Sequence, residues 1–134
     1  MVFKDVTSYN ITYDGIDSVL KAKVAKKFRN KDEFYKIYTT RIDEGTKEYL
    51  WADKGVWKRK VLQLFGNVLY KDDLNRSLSS DTVTYNVKKD ILSSRTPFVS
   101  QYNSSMLKGS SFVYYIKLKR LYAKNIKAKI RLEK

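Results

Sequence analysis

From Leu62 onward, the even positions Leu62, Leu64, Gly66, Val68 and Tyr70 form one series, set against Gln63 and Asn67 in the other. A period of two places the two series on opposite faces of an extended chain, as in a half-buried β-strand. Asp81, Val83, Tyr85 and Val87 alternate in the same way against Thr82, Thr84, Asn86 and Lys88. The polar stretches "YKDDLNRS" and "NVKKD" separate the apolar runs and read as turns. With one Pro and five Gly, the chain has no linker that would divide it. A single domain over residues 1–134 is expected.

The strand pattern also repeats. Setting "WADKGVWKRKVLQLFGNVLY" over "SSDTVTYNVKKDILSSRTPF" places Asp53 on Asp81, Trp57 on Tyr85, Leu64 on Leu92, Gly66 on Ser94 and Tyr70 on Phe98, an offset of 28. A step of 29 carries Tyr85 to Tyr114, and the same step back from Trp57 reaches Phe28. Each unit is a strand, a polar turn and a second strand. The last has Gly109 to Tyr115 as its first strand and Arg120 to Ile130 as its second. Four such hairpins span residues 19–132, after an opening strand near Tyr9 to Tyr13. Residues 16–28 are ambiguous, because Ile16, Val19, Leu20, Val24 and Phe28 also fit one face of a helix. The repeat spacing and the β-rich "FYKIYTTRI" that follows assign them to a strand. Consecutive hairpins, each apolar on one face, stack into two facing antiparallel sheets. The expected fold is therefore all-β, a jelly roll or open trough whose edge strands remain free to pair.

Composition narrows the chemistry. The chain has no Cys and no His, which removes thiol and Ser-His nucleophiles, a histidine base and Cys/His zinc sites. Asp53 and Asp81 are the carboxylates an enzyme would use, but their equivalent places in the repeat suit a turn or register role. The reading is of a non-enzyme with no metal and no cofactor. Lys and Arg number 28 against 14 Asp and Glu, leaving +14, so a polyanion is the expected partner. At 43% hydrophobic residues the charge decorates a folded body. No stretch approaches the roughly 18 apolar residues of a membrane helix.

The segments "LWADKGVWKRKVLQLFGNVLY", "LSSDTVTYNVKKDILSSRTPF" and "LKGSSFVYYIKLKRLYAKNIKAKI" resemble the LptC family, the periplasmic tether of the lipopolysaccharide export machine, which shares the OstA-like fold with LptA. The family pattern is met by Ala52, Asp53 and Trp57, then Leu62, Leu64, Gly66 and Val68. A degenerate copy follows at Ser80, Asp81, Tyr85, Leu92 and Ser94 before Pro97, and then Gly109, Phe112 and Tyr114. The resemblance implies a trough that takes the acyl chains of lipid A, receives lipopolysaccharide from an inner-membrane ABC transporter, and passes it through edge strands to a periplasmic bridge protein of the same fold. A homodimer through those edges is the further partner considered. It also implies a periplasmic location and an inner-membrane anchor; no such segment precedes Val2, and the expectation is that the anchor has been removed.

The inward candidates are Trp57, Leu62, Leu64, Val68, Tyr70, Val83, Tyr85, Leu92, Phe98, Phe112, Tyr114 and Ile126, with Gly66 and Gly109 as bulge or close-approach glycines. Trp57 and Tyr85 stand out as large aromatics at equivalent places on one wall. Lys21, Lys23, Lys58, Lys60, Lys117, Lys119, Lys127 and Lys129 are the cations for lipid phosphates or an anionic membrane surface. The alternative is a basic β-domain that stacks single-stranded nucleic acid on its tyrosines. The aromatics share strand faces with aliphatic residues, which favours a lining over an open stacking platform, so no nucleic-acid partner is expected.

Overall fold

The computed structural model describes residues 1–12, 15–43 and 45–129. Their sequence alternation is expressed as twelve strands in one antiparallel sheet, with no helix among the described residues. The strands are β1 (Val2–Thr12), β2 (Gly15–Lys27), β3 (Asp32–Asp43), β4 (Thr46–Lys58), β5 (Val61–Asp72), β6 (Arg76–Asn86), β7 (Ile91–Ser94), β8 (Phe98–Tyr102), β9 (Ser105–Gly109), β10 (Ser111–Tyr115), β11 (Arg120–Lys124) and β12 (Lys127–Lys129). The first six pair in chain order, and then the sheet forks. The start of β6 pairs with β8, which leads to β9 and β12; the end of β6 pairs with β7, which leads to β10 and β11.

A crease causes the fork. Asp5, Lys36, Gly66 and Asn67, in the middles of β1, β3 and β5, have positive φ. β5 carries one extra residue between Phe65 and Val68, shifting its register against both neighbours. Such a bulge bends the strand and sharpens its twist. Asn67 Nδ2 donates to Asp53 Oδ2 at 3.0 Å. A Cβ on Gly66 would stand 2.7 Å from that oxygen at a φ of +80°, so only glycine fits without strain. Across the fork the same line is drawn by complete breaks between β7 and β8, β9 and β10, and β11 and β12.

The crease divides the sheet into two walls. Wall I holds the β3–β4 and β5–β6 turns and the β8, β9 and β12 branch; wall II holds the β2–β3 and β4–β5 turns and the other branch. Their inner faces meet. Phe98 of wall I and Phe112 of wall II pack edge to face with ring centroids 5.0 Å apart. Tyr70 and Tyr114 do the same at 5.8 Å. Leu64, Leu92, Val68 and Ile116 are the largest fully buried side chains between the walls.

Residues 16–27 are strand, as the repeat required. The crease also accounts for two misplaced faces. Ser80 is buried and Asp81 exposed, because the inward series on β6 changes parity between Ser80 and Val83. Val87 and Phe28, expected on inward series, lie in turns and are exposed. Tyr13 and Ile130, placed in strands by the repeat, lie outside the described residues.

Candidate functional site

Cross-strand register turns the predicted lining into rungs. On wall II, Trp57, Leu62, Tyr85, Leu92 and Tyr114 are successive Cα partners on one rung, which ends at Leu121. The offset of 28 seen in the sequence is the length of one hairpin, so equivalent residues return to the same height of the same wall. The rung nearer the crease contains Gly55, Leu64 and Val83, then Ser94 and Phe112. Gly55 leaves no room for a Cβ against Ile37 of wall I, which lets the walls approach. On wall I, Val68 and Phe98 lie near the crease on either side of Ser80, and Tyr70 lies one rung out beside Leu50 and Leu78.

Nine of the twelve predicted lining residues belong to the buried cluster, and Trp57 and Tyr85 are packed against it. Ile126 is the exception and corrects the prediction: it sits in the break between β11 and β12 and is half exposed. Asn125 just before it has a positive φ, and this turn removes Ile126 from the alternation of β11. Gly109 is a close-approach glycine, since a Cβ there would strike the Phe98 ring.

The interior is open at both ends of the described sheet. At the β1 end a cavity of about 870 Å³ is lined by Phe3, Val6, Leu20, Phe34, Leu50, Trp57 and Leu62, with Lys88 and Lys117 at its margin. At the β9 end a cavity of about 450 Å³ is lined by Tyr70, Leu78, Met106, Leu107, Tyr114 and Leu121. Between them the rims of the two walls are laced by charge, which the sequence did not reveal. Arg41 on β3 donates to both carboxylate oxygens of Asp90 in the β6–β7 turn, the Nη2 to Oδ2 bond being 2.7 Å. Arg41 Nη1 also donates to the Tyr85 hydroxyl at 2.6 Å, and that hydroxyl donates to Asp90 Oδ1 at 3.1 Å. Lys119, in the β10–β11 turn, reaches Glu48 Oε1 on β4 at 3.4 Å. Arg41 and Glu48 are cross-strand partners, so the two cross-wall pairs are neighbours on one rung.

Both carboxylates are buried, at 4% exposure each. Burial by itself would push the Asp90 carboxyl up, but the Arg41 hydrogen bonds and charge, with help from Tyr85 and Lys117, hold it below its ordinary value. Glu48 goes the other way: burial raises its carboxyl despite the charges of Arg41 and Lys119. The Tyr70 and Tyr114 hydroxyls are pushed up mainly by burial. Among the described residues neither has a hydrogen-bond partner of ordinary geometry, and Arg76 is close enough to offset part of the effect on Tyr114.

The predicted cations divide. Lys117 borders the larger cavity and Lys119 is a rim tie. Lys21, Lys23, Lys58, Lys60 and Lys127 are exposed, and the side chain of Lys129 lies outside the described residues. Asp53 serves the bulge, and Asp81 is exposed. Among the described residues no cluster of carboxylates suited to a metal ion occurs.

The arrangement is an apolar trough with two open ends and a charged seam along its mouth. No protein-family model matches the chain, and no curated protein matches it. Its fold matches the crystal structure of LptH, the LptA-homologous periplasmic component of the lipopolysaccharide transport device of Pseudomonas aeruginosa. The TM-score is 0.73 at 12% identity, over 86% of this chain and 95% of that one.

Proposed function

We propose that the chain is a non-catalytic lipopolysaccharide carrier of the periplasm, holding lipid A acyl chains between its walls. The observation that carries this reading is the pair of cavities, about 870 and 450 Å³, that open an otherwise packed apolar interior at its two ends. Acyl chains gain by leaving water at about 25 cal/mol per Å² buried, and a lined, open-ended interior offers that without unfolding. The fold shared with LptH supports the same reading, and the lysines at the larger cavity supply charge for phosphorylated sugars.

Within that role the chain acts as the LptC-type tether, anchored to the inner membrane in its native form. It accepts lipopolysaccharide from the ABC transporter complex and hands it to a bridge protein of its own fold. The free edges, β1 at one end and β11 with β12 at the other, suit strand addition by that partner or by a second copy.

Displacement of a fluorescent acyl probe by purified lipopolysaccharide tests the proposal. Wild type should release the probe, and Leu20→Asp, which sets an unpaired charge in the cavity at the β1 end from a side chain that is only partly buried, should remain folded by circular dichroism and fail to bind. Unchanged binding by folded Leu20→Asp, or failure of wild type to bind, would refute the carrier role.

A further inference from the structure

The outer face of wall I is not the polar surface expected of a sheet with one side in water. Trp51 lies at its centre, with the Tyr38 ring 5.1 Å away and the Tyr49 ring stacked at 6.0 Å. Leu69 is its cross-strand partner on the other side. All four are partly exposed. Burial of Ile37, Leu50 and Val68 on the inner face fixes this outward direction, because strand neighbours alternate. Lysines frame the aromatic group: Lys21 pairs with Tyr38, and Lys71 pairs with Tyr49.

Carboxylates are missing from the two rungs that carry the rings. The Tyr38 rung runs from Lys21 through Trp51, Leu69, Ser79 and Val99 to Lys108. The Tyr49 rung runs from Val19 through Thr40, Lys71, Ser77 and Gln101 to Met106. Neither contains Asp or Glu. The nearest acids are already engaged, Asp53 by Asn67 at the crease and Asp73 by the Lys47 backbone N–H at the rim. The outer face of wall II differs in carrying acid: Glu33 lies on a rung with Val56, Gln63, Thr84 and Ser93, beside a Tyr35 ring covered by Lys26 and Lys54.

We infer that the outer face of wall I docks on an anionic lipid bilayer. Trp and Tyr rings have an apolar body and a polar tip and settle at the level of the headgroups. Lysines beside them gain from the negative surface potential, and the absence of acid from their rungs removes the matching repulsion. The three rings share one outer face, so they reach the headgroups together while the trough lies on the opposite face. This surface is separate from the trough, and the inference holds whether or not the interior carries lipopolysaccharide.

Flotation with vesicles of phosphatidylglycerol and phosphatidylethanolamine tests it, against vesicles of phosphatidylcholine alone. The protein should float with the first and stay behind with the second. In a Trp57→Phe background, Trp51 emission should shift to the blue on binding and be quenched by lipids brominated near the headgroup. Trp51→Ala/Tyr49→Ala should bind at least about tenfold more weakly. Because that pair could disturb the sheet, Lys21→Glu/Lys71→Glu provides a second variant with the rings intact, and a loss of about tenfold or more is expected there too. Lys54→Glu on wall II, which carries one charge reversal away from the patch, should bind within about threefold of wild type. Equal binding to both vesicle types, no quenching of Trp51, or equal losses from the two walls would overturn the inference. So would a preference for single-stranded oligothymidylate that leaves vesicle binding undetected and is abolished by Trp51→Ala, since the rings would then be stacking bases.

Discussion

Asp90 is the seam carboxylate held by both Arg41 and Tyr85. Its carboxylate is buried, bound through both oxygens by Arg41, and touched by the Tyr85 hydroxyl. Removing one member of such a pair strands the other charge and costs about 3–5 kcal/mol. Asp90→Asn suits the test, since Asn tolerates the positive φ at this position; its urea midpoint should fall accordingly at neutral pH. Its pH dependence is also set. The folded-state pKa of Asp90 is depressed, so the ionised form adds stability above the ordinary value of about 3.9. That contribution is lost as the pH falls through the lower, folded value. Glu48 is raised by burial and works in the opposite sense, its ionisation costing stability as the pH rises through the folded value. Asp90→Asn should therefore lose less stability than wild type between neutral pH and the range below pH 4, measured as urea midpoints; an equal loss would remove Asp90 from the acid response. None of this was legible in the sequence. "NVKKD" looks like a solvated turn, and the partner that buries its last residue lies 49 residues away. Leu64 and Leu92, by contrast, were readable from alternation alone, and both are buried to 1% or less. Leu92→Ala should cost about 2–5 kcal/mol in the same measurement.

Among the elements, the crease explains both the success and the failures of the repeat. Strand identity, turn positions and the return of Trp57, Tyr85 and Tyr114 to one rung all follow from a period of two and a hairpin of nearly constant length. Assignments made by simple parity fail where β5 gains a residue, which is why Asp81 and Ser80 exchange faces. Ile126 fails for a similar reason, because β11 ends and β12 begins on either side of it. A bulge leaves little trace in one sequence beyond the Gly66–Asn67 pair and an aspartate that proves to be its hydrogen-bond partner. Gly66→Val tests the crease directly. A branched side chain at a φ of +80°, driven against Asp53, should lower the unfolding midpoint by more than the strain of about 1–3 kcal/mol alone. Gly45 is the comparison, with a similar φ and open space around the position of a Cβ; Gly45→Val should cost only the strain.

For the whole molecule, two walls joined at a crease form an interior that is packed in the middle and open at its ends. Charge crosses the mouth between the openings, so the ties at Arg41 and Lys119 set the spacing of the walls. The fold class was legible because each strand is long and strongly patterned; the seam and the outer aromatic face were not, because both depend on which residues the crease brings together or turns away. In the proposed carrier the interior, and not the outer surface, receives the acyl chains. A direct test is a photoreactive phenylalanine analogue placed singly at Trp57 in the cavity at the β1 end, at Leu107 in the cavity at the β9 end, and at Val56, the outer-face neighbour of Glu33 and Gln63 on wall II, each irradiated with purified lipopolysaccharide. The expected result is crosslinking from positions 57 and 107 that unlabelled lipopolysaccharide suppresses, with none from 56. Crosslinking from 56 as strong as from the interior, or none from either cavity in folded protein, would contradict it.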